Sequence, residues 1–399
     1  MKKTEGIKVL YVILTLFCIS VALLLPQGVE ARIFKVNSTD DIVDSAPGNG
    51  ICATGAATCT LRAAVQEANA FPGADTIILK AKTYRRTIAG TGEDLAATGD
   101  LDITDSVTIT GLGAAYTIID GNHTDRVFHV TGAATVANFI GLKIQNGAVN
   151  SGTYAGAGIF NDGATTVVTS CTIKNNISYA QSGGGICSLF GNLKIVSSRV
   201  TQNVIYGEEI IIGGGGISSG NDGSLIISKT NISDNFVSNV TAGGVARGGG
   251  ISISSTTVVK ITSCKIQGNV SESSSLLGMG AGIDIFNVPN AKITNTRIAY
   301  NTATGSFGYG GGVSAGGTNA TFSGCTITEN FAAGPDGYGG GLYLALASPG
   351  DTSIITISNF SSVTHNHAAF GGGIHNLAVN LKISADSVVS GNTADDIYP

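Results

Sequence analysis

Residues 248–269 read GGGISISSTTVVKITSCKIQGN, and this pattern of glycine cluster, alternating aliphatic positions and final asparagine decides the fold. The opening recurs as Gly-Gly-Gly or Gly-Ala-Gly before Ile159, Ile186, Ile217, Ile251, Ile283, Val313, Leu342 and Ile374. The close recurs as an aliphatic residue three positions before Asn176, Asn203, Asn235, Asn269, Asn301, Asn330, Asn366 and Asn392. Two independent markers share one period and one phase, which is the signature of a solenoid.

The spacing of these units favours coils of strands over helical repeats. Successive openings lie 27 to 34 residues apart, and the units show strand-type alternation without a helical period. Alternating positions point inward on a strand, so equivalent residues of successive coils are expected to stack into aliphatic ladders. The asparagine amides suit tight bends and can hydrogen-bond from coil to coil. We predict an all-β, single-stranded parallel β-helix of about eleven coils.

Composition and charge limit the partners. Charged residues make up 12% of the chain, glycine 57 of 399 residues, and the net charge is -5. No run of Lys or Arg occurs. The sequence therefore gives no electrostatic indication of nucleic acid or of an anionic lipid surface as a partner.

The N-terminus has the pattern of a secretory signal. Lys2, Lys3 and Lys8 precede an apolar run over residues 9–25, and Val29-Glu30-Ala31 places small residues where signal peptidase cleaves. We expect cleavage after Ala31 and a secreted or cell-surface protein. The alternative is an uncleaved anchor, which would be the chain's only membrane contact, because the run reaches the lower length limit of a membrane span.

Six cysteines follow the signal. Cys52 and Cys59 are seven residues apart in a glycine-rich loop and are the predicted disulfide. An exported protein reaches a compartment that permits this bond. The other four are predicted to be buried thiols at packing positions: Cys171, Cys187, Cys264 and Cys325.

One segment carries a helical pattern. Within residues 60–70 the apolar residues recur at helical spacing, and Pro72-Gly73 follows as a stop. A single amphipathic helix ahead of a solenoid can cover the apolar end of the first coil and its unpaired strand edge. We predict that this helix is an N-terminal cap.

The cap sequence resembles a known domain. CTLRAAVQEANA at residues 59–70 and GADTIIL at residues 73–79 resemble the CSLREA (CSLREAI) domain of exported bacterial right-handed β-helix proteins. The match continues through DRVF at residues 125–128, over residues 36–146 in all. It departs at Thr60, Ala63 and Val65, and Ala63 removes the carboxylate of a capping box. The resemblance implies export and a right-handed coil.

The glycine units add a second, partial resemblance. Gly-Gly-Gly-Ile is similar to the repeats of chlamydial polymorphic outer-membrane proteins, although the companion Phe-x-x-Asn is Ile/Val-x-x-Asn here. Both resemblances imply the pectate-lyase-like superfamily. The expected organisation is a signal peptide, a CSLREA-like cap, first irregular coils and regular repeats, at residues 1–31, 32–80, 81–155 and 156–399.

Aromatic residues in the variable loops are the candidate binding residues. The binding hypothesis is a strip that stacks on sugar rings, formed from Tyr206, Phe307, Tyr309, Phe331, Tyr338 and Phe370. The competing and favoured interpretation concerns the three that directly precede a glycine cluster. Tyr309, Tyr338 and Phe370 would then form a packed aromatic ladder without a ligand.

Acidic residues and histidines offer two candidate metal sites. Asp100, Asp102 and Asp105 could bind Ca²⁺ through oxygen ligands, but a structural turn is the favoured interpretation. The histidines His365, His367 and His375 lie close in sequence, and a polar terminal surface is favoured over a metal site there. We therefore expect no cofactor. If the protein does bind one, Ca²⁺ is the candidate.

The sequence indicates a fold more firmly than a function. It contains no Gly-His-Gly and no Arg-Ile-Lys motif of the kind that polysaccharide-degrading β-helices carry, so no catalytic residue is assigned. We expect a non-catalytic protein that binds a polysaccharide or a cell-surface ligand, as an adhesin does. The alternative is a polysaccharide lyase or glycoside hydrolase, and a structural envelope component is the third possibility.

Overall fold

The computed structural model of this chain describes residues 30–150, 156–348 and 350–399. The apolar run of the expected signal peptide lies outside the described residues. Within them the chain winds as a right-handed parallel β-solenoid with a single α-helix, which confirms the predicted fold. The described part contains no helix of the length and apolarity that a membrane span requires.

The strands form five parallel sheets. After each glycine cluster the chain passes first through the post-glycine sheet and then through the central sheet. The post-glycine sheet comprises Leu101–Ile103, Phe128–Thr131, Ile159–Asp162, Ile186–Leu189, Ile217–Gly220, Ile251–Ser254, Ile283–Phe286, Val313–Gly316, Leu342–Ala345, Ile374–Leu377 and Ile397–Tyr398. The central sheet comprises Ile33–Lys35, Asp75–Ile78, Val107–Thr110, Val136–Ile140, Thr165–Thr169, Asn192–Val196, Ser224–Ser228, Val258–Thr262, Ala291–Thr294, Ala320–Ser323, Ile354–Ser358 and Asn380–Ile383.

Three further sheets complete the fold, and two of them, the post-asparagine and pre-glycine sheets, extend along only part of the rod. The pre-asparagine sheet comprises Thr83–Arg85, Ile118–Asp120, Lys143–Gln145, Thr172–Lys174, Arg199–Thr201, Asn231–Ser233, Lys265–Gln267, Arg297–Ala299, Thr326–Thr328, Ser362–Thr364 and Val388–Ser390. The post-asparagine sheet comprises Ala148–Val149, Ile177–Ser178, Val204–Gly207, Phe236–Asn239, Val270–Ser273, Thr302–Thr304 and Phe331–Ala332. The pre-glycine sheet comprises Ile211–Gly213, Val245–Arg247, Leu277–Met279 and Phe307–Tyr309.

A ladder of asparagines runs along the inside of the rod. The side-chain amide of each repeat asparagine donates to the side-chain oxygen of the next, as from Asn269 Nδ2 to Asn301 Oδ1 at 2.9 Å. The Nδ2 of Asn301 continues the ladder to Asn330 at 2.9 Å, and Asn392 at the end donates to Asp396 at 2.9 Å. The last glycine of each cluster leaves room for this ladder and for the next coil, since a Cβ on Gly312 would lie 3.0 Å from Asn330 Nδ2 and 2.6 Å from the Gly341 backbone oxygen.

The cap covers the first coil as expected. The helix α1 (Leu61–Ala70) begins after Thr60, whose Oγ1 accepts a hydrogen bond from the Ala63 amide at 3.1 Å. Half of a capping box therefore remains although Ala63 lacks the carboxylate. Leu61 and Val65 are buried on the core of the rod.

The cysteines also match expectation. The Cys52–Cys59 disulfide is present, with a sulfur–sulfur distance of 2.03 Å. The other four cysteines are buried. Burial raises the pKa of the Cys171 thiol to about 11, so this group stays protonated at neutral pH.

Candidate functional site

A cavity of about 250 Å³ lies over the first coils, at the outer face of the post-glycine sheet. Carboxylates, one arginine and one histidine line it together with a loop at residues 91–94. We call it the acidic cavity, and its charged and aromatic lining residues are Glu93, Asp94, Asp100, Asp125, Arg126, His129, Phe160 and Asp162.

The cap helix fixes the backbone beside this cavity. Arg62 of α1 is fully buried, and its guanidinium donates to the backbone oxygens of Ala96 at 3.0 Å, Gly99 at 2.8 Å and Asp100 at 3.1 Å. Asn69 of the same helix donates to the backbone oxygen of Asp102 at 2.7 Å. The cap therefore positions the loop and strand that carry the acidic side chains.

Asp94, Asp102 and His129 form one group at the cavity. Asp102 and His129 are register partners on adjacent strands, and Asp102 Oδ1 lies 3.3 Å from His129 Nδ1. Asp94 Oδ1 lies 3.6 Å from the same nitrogen. The three ligand atoms lie within 4.8 Å of one another, so they could hold a metal ion. An imidazole among the ligands suits Zn²⁺ better than Ca²⁺, which prefers oxygen.

Neighbouring contacts orient this group. The Ala96 amide donates to Asp102 Oδ2 at 2.9 Å, and the Asp102 side chain is fully buried. The His129 ring stacks on Phe160 with 5.2 Å between ring centroids, and the Arg126 guanidinium lies 5.1 Å from the same ring. Phe160 therefore holds the two basic groups in place.

Asp100 has the most perturbed carboxyl group of the cavity. Burial, and then the negative charges of Asp102 and Asp125, raise its pKa to about 7. Arg126 opposes this rise, because its Nε lies 3.1 Å from Asp100 Oδ2. A carboxyl with a pKa near neutrality can both donate and accept a proton at physiological pH.

The sequence identified only part of this site. Of the three aspartates considered as candidate Ca²⁺ ligands, Asp102 belongs to the group that could hold a metal ion and Asp100 lines the cavity. Asp105 instead accepts hydrogen bonds from the backbone amides of Gly73 at 3.0 Å and Ser106 at 2.7 Å. This is the geometry of a structural turn. His129 was missed, because only strand register places it beside Asp102, 27 residues earlier in the chain.

Three of the predicted aromatic residues meet at the C-terminal coils. Tyr309 lies 5.4 Å from Tyr338, edge to face, and Tyr338 stacks on Phe370 at 5.0 Å between centroids. Tyr309 also stacks on Tyr343 at 4.4 Å, and Tyr343 stacks on His375 at 5.5 Å. Other protein rings thus contact these faces, which is the packing that the ladder interpretation predicts.

The other three aromatic candidates are distributed over the rod. Phe307 borders the ladder at 6.1 Å from Tyr309. Tyr206 lies on the post-asparagine sheet beside Tyr179 at 5.9 Å. Phe331, nearly half exposed, contacts His367 at 6.5 Å. The six residues therefore do not form one continuous strip.

The late histidines do not form a metal group in the described ranges. The group of metal-ligand type found there is that of Asp94, Asp102 and His129. His375 is buried within the aromatic ladder, and burial lowers the pKa of its imidazole. His367 contacts Phe331. The side chains of His367 and His375 therefore serve packing.

Comparison with known proteins bears on the fold. No curated protein matches this chain. Among solved structures, pectate lyase Pel9A is 12% identical with a TM-score of 0.39, over 92% of this chain and 81% of that chain. The catalytic domain of a GH87 alpha-1,3-glucanase in complex with tetrasaccharides is 12% identical with a TM-score of 0.36, over 94% and 70%. The family model of the right handed beta helix region matches residues 126–349, and the chain belongs to this family.

Proposed function

We propose that this protein is an exported, non-catalytic carbohydrate-binding β-helix that holds a sugar residue in the acidic cavity. The observation that supports the proposal is the convergence of Asp94, Asp100, Asp125 and Asp162 with Arg126 in one concave site. Concave sites with a few converging polar groups are the default binding sites of proteins.

The chemistry of the cavity suits hydroxyl groups. Carboxylates accept hydrogen bonds, and the fork of a guanidinium donates several, so together they match the mixed donors and acceptors of a sugar. A cavity of about 250 Å³ is smaller than most sites for drug-sized ligands. It therefore suits one sugar residue or the end of a chain.

A second candidate function is cleavage of a polysaccharide. One observation favours it, the pKa of about 7 at Asp100, which would let this carboxyl act as a general acid near neutral pH. The other carboxylates or a metal held by Asp94, Asp102 and His129 would then supply the second group that glycosidic chemistry needs.

One experiment separates these functions. The chain from residue 32 onward is mixed with neutral oligosaccharides and polysaccharides, with and without Zn²⁺ or Ca²⁺, and followed by size-exclusion light scattering. Co-elution with intact polymer supports a binding protein, and shortened polymer supports an enzyme. The double substitution Asp94→Asn with Asp162→Asn should weaken either result, whereas Asp351→Asn, on a loop far along the chain, should not. If the protein neither binds nor cleaves any of these polymers, the sugar site is contradicted and a structural envelope role is favoured.

A further inference from the structure

The basic residues of the regular coils gather on two adjacent sheets. Residues 143–301 contain ten lysines and arginines, and nine of them lie on the central or pre-asparagine sheet or in the turn between the two. We call these nine the basic stripe: Lys143, Lys174, Lys194, Arg199, Lys229, Lys260, Lys265, Lys292 and Arg297. The tenth, Arg247, lies on the pre-glycine sheet beside Asp284, at 3.9 Å.

Strand register aligns these residues along the rod. Lys194, Lys260 and Lys292 occupy one row of the central sheet, where Ile226 stands between the first two. A matching row of the pre-asparagine sheet carries four further cations, and its order along the rod is Lys143, Thr172, Arg199, Asn231, Lys265 and Arg297. Two coils carry no cation in either row, those of Thr172 and Asn231. Lys174 and Lys229 supply a cation in these two coils. Each of six consecutive coils thus contributes a cation, over about 24 Å at a rise of about 4.8 Å per coil.

Acidic residues are missing from the same strands. Between residues 143 and 299, the strands of these two sheets contain no Asp or Glu. None of the nine cations takes part in an ion pair within the described residues. Six are exposed, and Arg297 lies over the Tyr300 ring at 5.3 Å. Like charges held in line without counter-charges repel one another, and an external polyanion would relieve that repulsion.

A concavity marks the N-terminal end of the stripe. Lys143, Lys174 and Arg199 border a cavity of about 490 Å³. The same cavity is lined by hydroxyl groups, from Ser170, Thr172, Ser197 and Thr201. Cations beside hydroxyl donors form a suitable binding site for an anionic sugar. The carboxylate or sulfate of the sugar pairs with the cations, and its hydroxyls hydrogen-bond to the protein hydroxyls.

We propose that the basic stripe binds a linear acidic polysaccharide that lies parallel to the axis of the rod. The rise of about 4.8 Å per coil is close to the length of one pyranose residue, so one anionic group per sugar can meet one coil after another. Nucleic acid matches this spacing poorly, because its charges recur every ~1.7 Å of axis in duplex DNA and every ~3.4 Å along one strand. The stripe and the acidic cavity lie on different sheets, so either site can fail without the other.

The test compares three polymers and three variants. The wild-type chain from residue 32 is titrated with polygalacturonate, with neutral dextran and with single-stranded poly(dT) of equal charge number. The stripe variant combines Lys194→Gln, Lys260→Gln, Lys265→Gln and Lys292→Gln. A second variant carries Lys→Arg at the same four positions. The matched control removes four exposed basic residues outside the two rows by Lys35→Gln, Lys80→Gln, Lys82→Gln and Arg85→Gln.

The stripe predicts a specific set of results. Polygalacturonate should bind more tightly than dextran and poly(dT), and the affinity should fall as salt rises. The four Lys→Gln changes should weaken binding at least about tenfold, since four exposed ion pairs of modest strength are lost together. The Lys→Arg variant and the matched control should bind within about twofold of wild type. Equal weakening in the matched control, equal or tighter binding of poly(dT), or no preference over dextran would overturn the proposal.

Discussion

Arg62 Nε lies 2.6 Å from Asp41 Oδ1, and this ion pair is almost completely shielded from solvent. The same guanidinium donates to backbone oxygens of the loop at residues 96–100, so one side chain joins the cap helix to the acidic cavity. A buried pair that loses one partner leaves an uncompensated charge.

We predict that Arg62→Met lowers the free energy of unfolding by about 3–5 kcal/mol, the usual cost of breaking a buried pair. Chemical unfolding followed by circular dichroism measures this change. The exposed Arg85 is the matched control, and Arg85→Met should change stability by less than about 0.5 kcal/mol. Equal losses in both variants would show that Arg62 does not fix the cap.

The asparagine ladder should be stabilising at its middle. Asn301→Ala leaves two donors of Asn269 without their acceptor, the side-chain amide and the backbone amide, both buried. Unmade buried hydrogen bonds cost about 1–3 kcal/mol each, so we expect a loss on the order of 3 kcal/mol in denaturant unfolding. Asn380→Ala, at an exposed position, should have little effect, and similar stability of the two variants would contradict the ladder's role.

Tyr309 distinguishes a packed ladder from a sugar-binding strip. Its ring stacks on Tyr343 at 4.4 Å and contacts Tyr338, so Tyr309→Ala should lower the free energy of unfolding by about 2 kcal/mol. Tyr309→Phe keeps the ring and should be nearly neutral. Thermal and chemical unfolding measure both variants. A loss of glycan binding at unchanged stability would instead support the strip.

The pH dependence of stability should reveal Asp100. Its folded-state pKa of about 7 lies above the ordinary value of 3.8, so the folded protein binds more protons between these two pH values. Stability therefore falls as pH rises from about 4 to about 7, by up to on the order of 4 kcal/mol. Asp100→Asn should remove the part of this pH-dependent decrease in stability that comes from Asp100.

The readout for Asp100 is the difference between two stability profiles. Burial also raises the pKa values of Asp75 and Asp125, and these groups keep their contribution in the variant. Denaturant midpoints of wild type and Asp100→Asn, measured at several pH values from 4 to 8, isolate the Asp100 share. Parallel profiles would contradict the raised pKa.

The sequence predicted local features that repeat or that lie close in the chain. The glycine clusters and repeat asparagines indicated the coil, α1 was bounded to within one residue, and Cys52 with Cys59 was paired correctly. The site was harder to predict. Asp94, Asp102 and His129 come from a loop and two strands, and only their pairing in space makes them one group.

The basic stripe, like the acidic cavity, could not be predicted from the sequence alone. A net charge of -5 without a basic run gave no indication of a polyanion surface, because the nine stripe cations lie far apart in sequence. Sheet register brings them into line, since residues that pair coil to coil share a face whatever their separation along the chain.

By itself the sequence determined the coil, its asparagine ladder, its helical cap and its disulfide, because these follow from short-range periodicity and local bonding. Only the tertiary structure decided which side chains meet in the acidic cavity, that Tyr309 packs against Tyr343, and that the lysines of successive coils form one row. The physical reason is that loop lengths vary between coils, so the phase of each strand against its neighbour is set by packing of the whole rod rather than by local sequence.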